Sequence, residues 1–219
     1  MAHGFTAGKY SLDGLAGYLA DRGYVALTFD YVGHKLGDSG GEMRHASQAI
    51  DNAAAALVWL REHQSPEKVA LIGHSMGGIA VLNVASRDSL RDVPGALAGV
   101  VSLCAGVRAT QGFSTPVGKA MLAQRSDYVA GAPAAWLIQE LDGLAEAVSD
   151  LSYIPALFIA ARQDVVVSPA RVEELARAAG ERATVTLIDT THLEAPDRSR
   201  GTVLQWLDEL DNRFEAAVG

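Results

Sequence analysis

The chain has 219 residues, the size of one domain, with 49% hydrophobic and 20% charged residues, so it can bury a core and is not intrinsically disordered. Its 18 Lys and Arg against 26 Asp and Glu leave a net charge of −8, and no basic run offers a polyanion a footing, which argues against nucleic-acid binding. One cysteine, Cys104, excludes an internal disulfide and cannot alone supply a cysteine-based zinc site; core packing is its expected role.

The densest apolar stretches, 53–60 and 99–107, are about half the length of a membrane span. The start, Met1-Ala2-His3-Gly4-Phe5, lacks the basic and apolar regions of a signal peptide, so a soluble cytoplasmic protein is expected.

Along the chain, strand-length apolar runs alternate with segments of helical period. Leu12, Leu15, Ala16 and Leu19 form a first helical stripe, and residues 24–29 a first apolar run ending at Asp30. Ile50, Ala54, Leu57 and Val58 mark a second helix, 69–72 a strand stopping at Gly73, and 100–103 a strand stopping near Gly106. Residues 107–150 contain no strand-like run and read as a small, mostly helical cap insertion within a single domain spanning 1–219. The run 156–161 leads to Asp164. Ser168 and Pro169 then supply the N-cap and first residue of a helix carrying Val172, Leu175, Ala176 and Ala179. The run 185–188 leads to His192, and Val203, Leu207, Leu210 and Phe214 mark the terminal helix. Runs apolar on both alternating faces suit a parallel sheet covered on both sides. The expected fold is therefore α/β, a mostly parallel sheet of about five strands flanked by helices.

Gly73-His74-Ser75-Met76-Gly77-Gly78 lies between a strand and a helix. The bare G-x-S-x-G pattern arises by chance in roughly one chain in seven of this composition, so its specificity comes from that context. A strand–turn–helix of this kind is a nucleophile elbow, which lifts a serine hydroxyl above the sheet and turns the Met76 N–H toward a developing oxyanion. A serine needs a histidine base, and the histidine an orienting carboxylate. Asp164 and His192 follow at two later strand ends, in the order this motif uses. His74 points away from the serine by its place in the turn, His45 and His63 read as helix-surface residues, and Asp142, Asp150 and Asp189 are rival acids.

These motifs resemble the α/β-hydrolase family, in its small serine esterase and lipase-like branch. The resemblance runs over nearly the whole chain: His3-Gly4-Phe5-Thr6, the stretch 29–34 with Asp38-Ser39-Gly40-Gly41, the elbow, and the regions of Asp164 and His192. It implies catalysis by Ser75, Asp164 and His192, with the backbone N–H of Phe5 joining that of Met76 as the oxyanion hole. In the stretch 30–35, valine and lysine replace the family's arginine and final glycine, so a structural role is expected there. The family places strands before its His-Gly segment, whereas Met1 and Ala2 alone precede His3 here. The expectation is an N-terminally shortened sheet in which the strands through Phe29 and Ile72 pair directly. The alternative is a partner chain filling the gap, so monomer and homodimer both stay open.

The implied reaction is hydrolysis of carboxylic esters of short-to-medium acyl chains, with no metal or organic cofactor. Phe113, Met121, Trp136, Leu137, Val165 and Leu193 are expected to line an apolar substrate mouth. A thioesterase, C–C bond hydrolase or perhydrolase would use the same parts, and a non-catalytic binding module would keep only the scaffold.

Overall fold

Burial that alternates between two layers of helices turns four of the five apolar runs into strands. The structure, a computed structural model, describes residues 1–87, 95–148, 151 and 153–218, with side chains given to 212. The strands are β1 (Lys68–His74), β2 (Ala96–Leu103), β3 (Ala156–Ala161) and β4 (Ala183–Ile188), all parallel and ordered β1-β2-β3-β4. Before β1 come α1 (Asp13–Ala20) and α2 (Gln48–Gln64); α3 (Met76–Arg87) connects β1 to β2. Between β2 and β3 lie α4 (Ala109–Phe113), α5 (Pro116–Arg125) and α6 (Ala134–Glu146), then α7 (Pro169–Ala179) links β3 to β4. The chain closes with α8 (Ala195–Arg198) and α9 (Arg200–Val218). Asp150, and with it the far end of the 107–150 stretch, falls outside the described residues.

On one face of the sheet, Val69, Leu71, Val100, Ala156, Phe158 and Ala160 pack with α2, α3, α6 and α7. On the other, Ile72, Val101, Leu103, Leu157 and Ile159 pack against Leu15 and Leu19 of α1 and Val203 and Leu207 of α9. Successive side chains of β3 thus enter different cores, which is why this run has no polar face. Phe158 is fully buried, and a side chain of that size contributes about 1.5–3 kcal/mol by leaving water. Helix α2 buries Ala49, Ile50, Ala53 and Leu57 but exposes Val58, so its apolar stripe is turned slightly from the one the sequence suggests.

The fifth run corrects two expectations, because residues 24–29 form no strand and do not pair with β1. The described sheet therefore has four strands, not about five. Between residues 24–29 and β1 lies a slot of about 310 Å³, lined by Leu27, Phe29, Ala53, Leu57, Val69 and Leu71 among others. The physical obstacle is the N-terminal segment itself. Ala2 forms a parallel bridge to Gly73, its N–H donating to the Ile72 carbonyl and its carbonyl accepting from His74 N–H, each at 2.9 Å. The Met1 amino group donates to the Leu27 carbonyl at 2.5 Å. These two residues stand where a directly paired strand would run, and hold residues 24–29 away from β1.

This bridge also sets which β1 groups face the slot. Ile72 C=O and His74 N–H point to Ala2, while Ser75 N–H points to Leu103 on β2. Strand alternation then turns the N–H groups of Ala70 and Ile72 toward the slot and those of Leu71 and Gly73 toward β2.

Candidate active site

Ser75 adopts φ 54°, in the left-handed region, where few residues other than glycine settle, at the junction of β1 and α3. The turn closes only because its neighbours lack side chains. A Cβ on Gly73 would run into the Gly77 backbone, and one on Gly77 into the Ala2 carbonyl. The strain is not confined to the serine. Thr6 (φ 61°) and Cys104 (φ 51°), which flank the same region, are also left-handed, and for β-branched Thr6 that is a marked departure.

Asp164 and His192 are brought together from the ends of β3 and β4. His192 Nδ1 donates to Asp164 Oδ2 at 2.7 Å, which leaves Nε2 as the ring nitrogen able to accept a proton. Asp164 Oδ1 accepts the Val166 and Val167 N–H groups, each at 2.8 Å, so the side chain is fixed through both oxygens. The His192 carbonyl accepts from His74 Nε2 at 2.9 Å, tying the histidine loop back to the elbow. Ser75 and His192 line one cavity of about 230 Å³ together with Gly4, Phe5, Thr6, Phe113, Met121 and Leu193.

The rival groups are engaged elsewhere. Asp142 receives the N–H groups of Ala109 (2.5 Å) and Thr110 (3.1 Å) and the Thr110 hydroxyl, at the start of α4. Asp189 accepts from Gln163 on the surface at 2.9 Å. His45 is exposed beside Glu140, and His63 bonds to the Trp59 carbonyl of its own helix. His3 is buried, with Nε2 accepting from Tyr31 N–H at 3.2 Å and Nδ1 against the Gly4 carbonyl at 2.9 Å, which anchors the segment carrying Phe5. Among the described residues neither the Met76 nor the Phe5 N–H finds an acceptor within the protein.

Of the six residues expected to line a substrate mouth, Phe113, Met121 and Leu193 do so. Leu137 is buried in the core under α6, Trp136 lies half-exposed against His45, and Val165 points to solvent while Val166 takes the place at the cavity wall. Helical period explains the first two. The α6 face that packs inward carries Leu137, Ile138 and Leu141, and it meets the domain core away from the cavity. Leu122, Arg125 and Pro196 line the cavity without any signal in the sequence that sets them apart.

His74, Cys104 and His192 bring ligand atoms within 4.8 Å of one another, the one such His/Cys/Asp/Glu group of three or more among the described residues. These residues fit a metal poorly. Burial, reinforced by the charge of Asp164, pushes the Cys104 thiol up and away from the thiolate a metal needs, which leaves two imidazoles and no anionic ligand in the group. Cys104 instead lies close enough to Asp164 for the carboxylate to hold its thiol protonated, so a residue expected only to fill the core also neighbours that side chain.

A family model described as the alpha/beta hydrolase fold matches residues 1–128, more than half of the chain. The chain belongs to the α/β-hydrolase fold family. No curated protein matches it in sequence. Among solved structures, it resembles an esterase from Pyrococcus furiosus at 18% identity and a TM-score of 0.71, over 95% of this chain and 81% of that one. A thermophilic esterase from Thermogutta terrifontis, solved with malate bound, gives 19% and 0.66 over 95% and 88%. A monoacylglycerol lipase from Paleococcus ferrophilus gives 16% and 0.66 over 95% and 93%. At such identities these likenesses speak for the α/β-hydrolase fold. No helix among the described residues is long and apolar enough to cross a membrane.

Burial also keeps this hydrolase-fold site's surrounding histidines neutral. It pushes His74 down to about 3, helped by the charge of His192, and His34 down to about 4, helped by His3. Both folded values lie below the ordinary 6.5, so the unfolded chain binds more protons as pH falls. Their contribution is complete above pH 6.5 and is lost toward pH 4, on the order of 1 kcal/mol per pH unit for each group. Urea midpoints measured between pH 6.5 and 4 should therefore fall, and His34→Asn should flatten that decline by about one group's share. Equal slopes for the variant and the parent would contradict this.

Proposed function

We propose that the protein is a serine hydrolase that cleaves carboxylic esters of short-to-medium acyl chains. The observation that carries the reading is the 2.7 Å bond from His192 Nδ1 to Asp164, with Ser75 on the same cavity wall as the histidine. Asp164 selects the tautomer that presents Nε2, and it stabilises the imidazolium formed when Nε2 takes the Ser75 proton. The Ser75 oxygen attacks the ester carbonyl, and the unengaged N–H groups of Met76 and Phe5 hold the oxyanion. Collapse expels the alcohol, which leaves with the proton from His192. Water, deprotonated by the same histidine, then releases the acid and restores the serine.

The acyl chain lies along Phe113, Met121, Leu122 and Leu193, and α4 to α6 act as the cap over it. A cavity of about 230 Å³ favours chains of a few carbons over long ones.

Ser75→Ala should lower turnover of p-nitrophenyl butyrate by several orders of magnitude and abolish labelling by a fluorophosphonate. Asp164→Asn, which spoils the tautomer, should cost on the order of 10³–10⁴ in kcat. Near-parental turnover in either variant would sink the assignment. Met121→Trp, by filling the cavity, should shift preference from butyrate toward acetate by about tenfold; an unchanged ratio would place the acyl chain elsewhere.

A further inference from the structure

Arg125 is the one Lys, Arg, Asp or Glu among the described residues lining the cavity that holds Ser75 and His192. The other polar residues there are Thr6, Ser11 and His74. It stands at the last position of α5, where a cation suits the helix C-terminus, but its side chain turns inward to the cavity. Its hydrogen bonding is poor. One terminal nitrogen reaches the Thr6 carbonyl at 3.4 Å, Nε is buried with no partner, and the guanidinium lies 6.0 Å from the centre of the Tyr128 ring. Among the described residues it pairs with no carboxylate, although the chain carries 26 Asp and Glu.

A guanidinium held by one long hydrogen bond and no carboxylate keeps donors free for a ligand in the cavity it lines. The two terminal nitrogens of the guanidinium form a two-donor fork that matches one carboxylate. A single cation in an otherwise uncharged pocket balances one negative charge, which favours a monoanionic carboxylate over a phosphate dianion.

We propose that Arg125 selects substrates whose ester carries a free carboxylate at its far end, such as a half-ester of a dicarboxylic acid. The inference rests on the hydrolase reading above and names its substrate class. The carboxylate is a spectator. Ester and water still give acid and alcohol at the Ser75 end, while the second carboxylate accepts the Arg125 fork and fixes the chain along Met121 and Leu122.

The test compares kcat/KM for mono-p-nitrophenyl glutarate and neutral p-nitrophenyl pentanoate. A second pair places the charge on the alcohol side, butyryl glycolate against ethyl butyrate. In at least one pair the anionic ester should be preferred. Arg125→Met should lower that anionic-to-neutral ratio by about tenfold to a hundredfold, the range for a lost charged hydrogen bond, and Arg125→Lys should restore part of it. A purely structural role at the end of α5 would depress both members of a pair alike and leave the ratio fixed. A neutral preference in both pairs, or a ratio indifferent to Arg125→Met, overturns the proposal. Loss of Ser75 dependence on the neutral esters would instead overturn the hydrolase reading, so the two failures are distinguishable.

Discussion

The close approach of residues 2–4 to the turn at 73–78 is the contact on which the remaining geometry depends. The Ala2 carbonyl lies against the α-carbon of Gly77 and accepts the His74 N–H, so two backbones meet with no side chain between them. Gly4 is also near, since a Cβ there would come within 3.3 Å of the Ser75 Cβ. That approach brings the segment carrying Phe5 to the cavity wall that Ser75 also lines. The buried His3 holds it in place by accepting the Tyr31 N–H. Several hydrogen bonds and glycine contacts support it, enough to offset the cost of a left-handed serine and a left-handed threonine, about 1–3 kcal/mol each.

Around this junction the protein places charge sparingly. Asp164 is out of contact with water, yet both its oxygens are occupied: two backbone N–H groups on one and His192 on the other, with the Cys104 thiol alongside. A buried carboxylate satisfied this way keeps a fixed orientation, and its histidine inherits that orientation. His74 and His34, by contrast, are held neutral by burial, so they serve as hydrogen-bonding and packing groups with no competing charge beside His192. Arg125 is the exception: it brings a fixed positive charge to the cavity with a single long hydrogen bond to the Thr6 carbonyl and no carboxylate partner among the described residues.

The same short N-terminal segment that builds the site also shapes the sheet edge. By bridging to Gly73 it completes β1 at its C-terminal end, beside the elbow, while farther back the strand borders an open slot. The buried Met1 amino group, pushed down to about 5 by loss of water, caps that slot through the Leu27 carbonyl. The sheet is thus ordered most fully where the serine sits.

Local chemistry was enough to determine the four strands, the turn at 73–78 and the positions of Asp164 and His192 just past two later strands. Each of these is written in consecutive residues: an apolar run, a pair of glycines around Ser75, a carboxylate or imidazole just past a strand. The expected class of fold followed, because double-faced apolar runs have few other ways to be buried. Residues 24–29 satisfy the same local rule and still form no strand, since a strand requires a neighbour and an open slot separates this run from β1. The cavity wall was legible only in part for a related reason. Trp136 and Leu137 are as apolar as Phe113 and Met121, and which of them faces Ser75 depends on how α4 to α6 are rotated against the core. Arg125 and Cys104 carry no local mark at all. What they touch, an empty-handed corner of the cavity and the side chain of Asp164, is set by contacts between residues far apart in the chain, and only the folded structure brings those together.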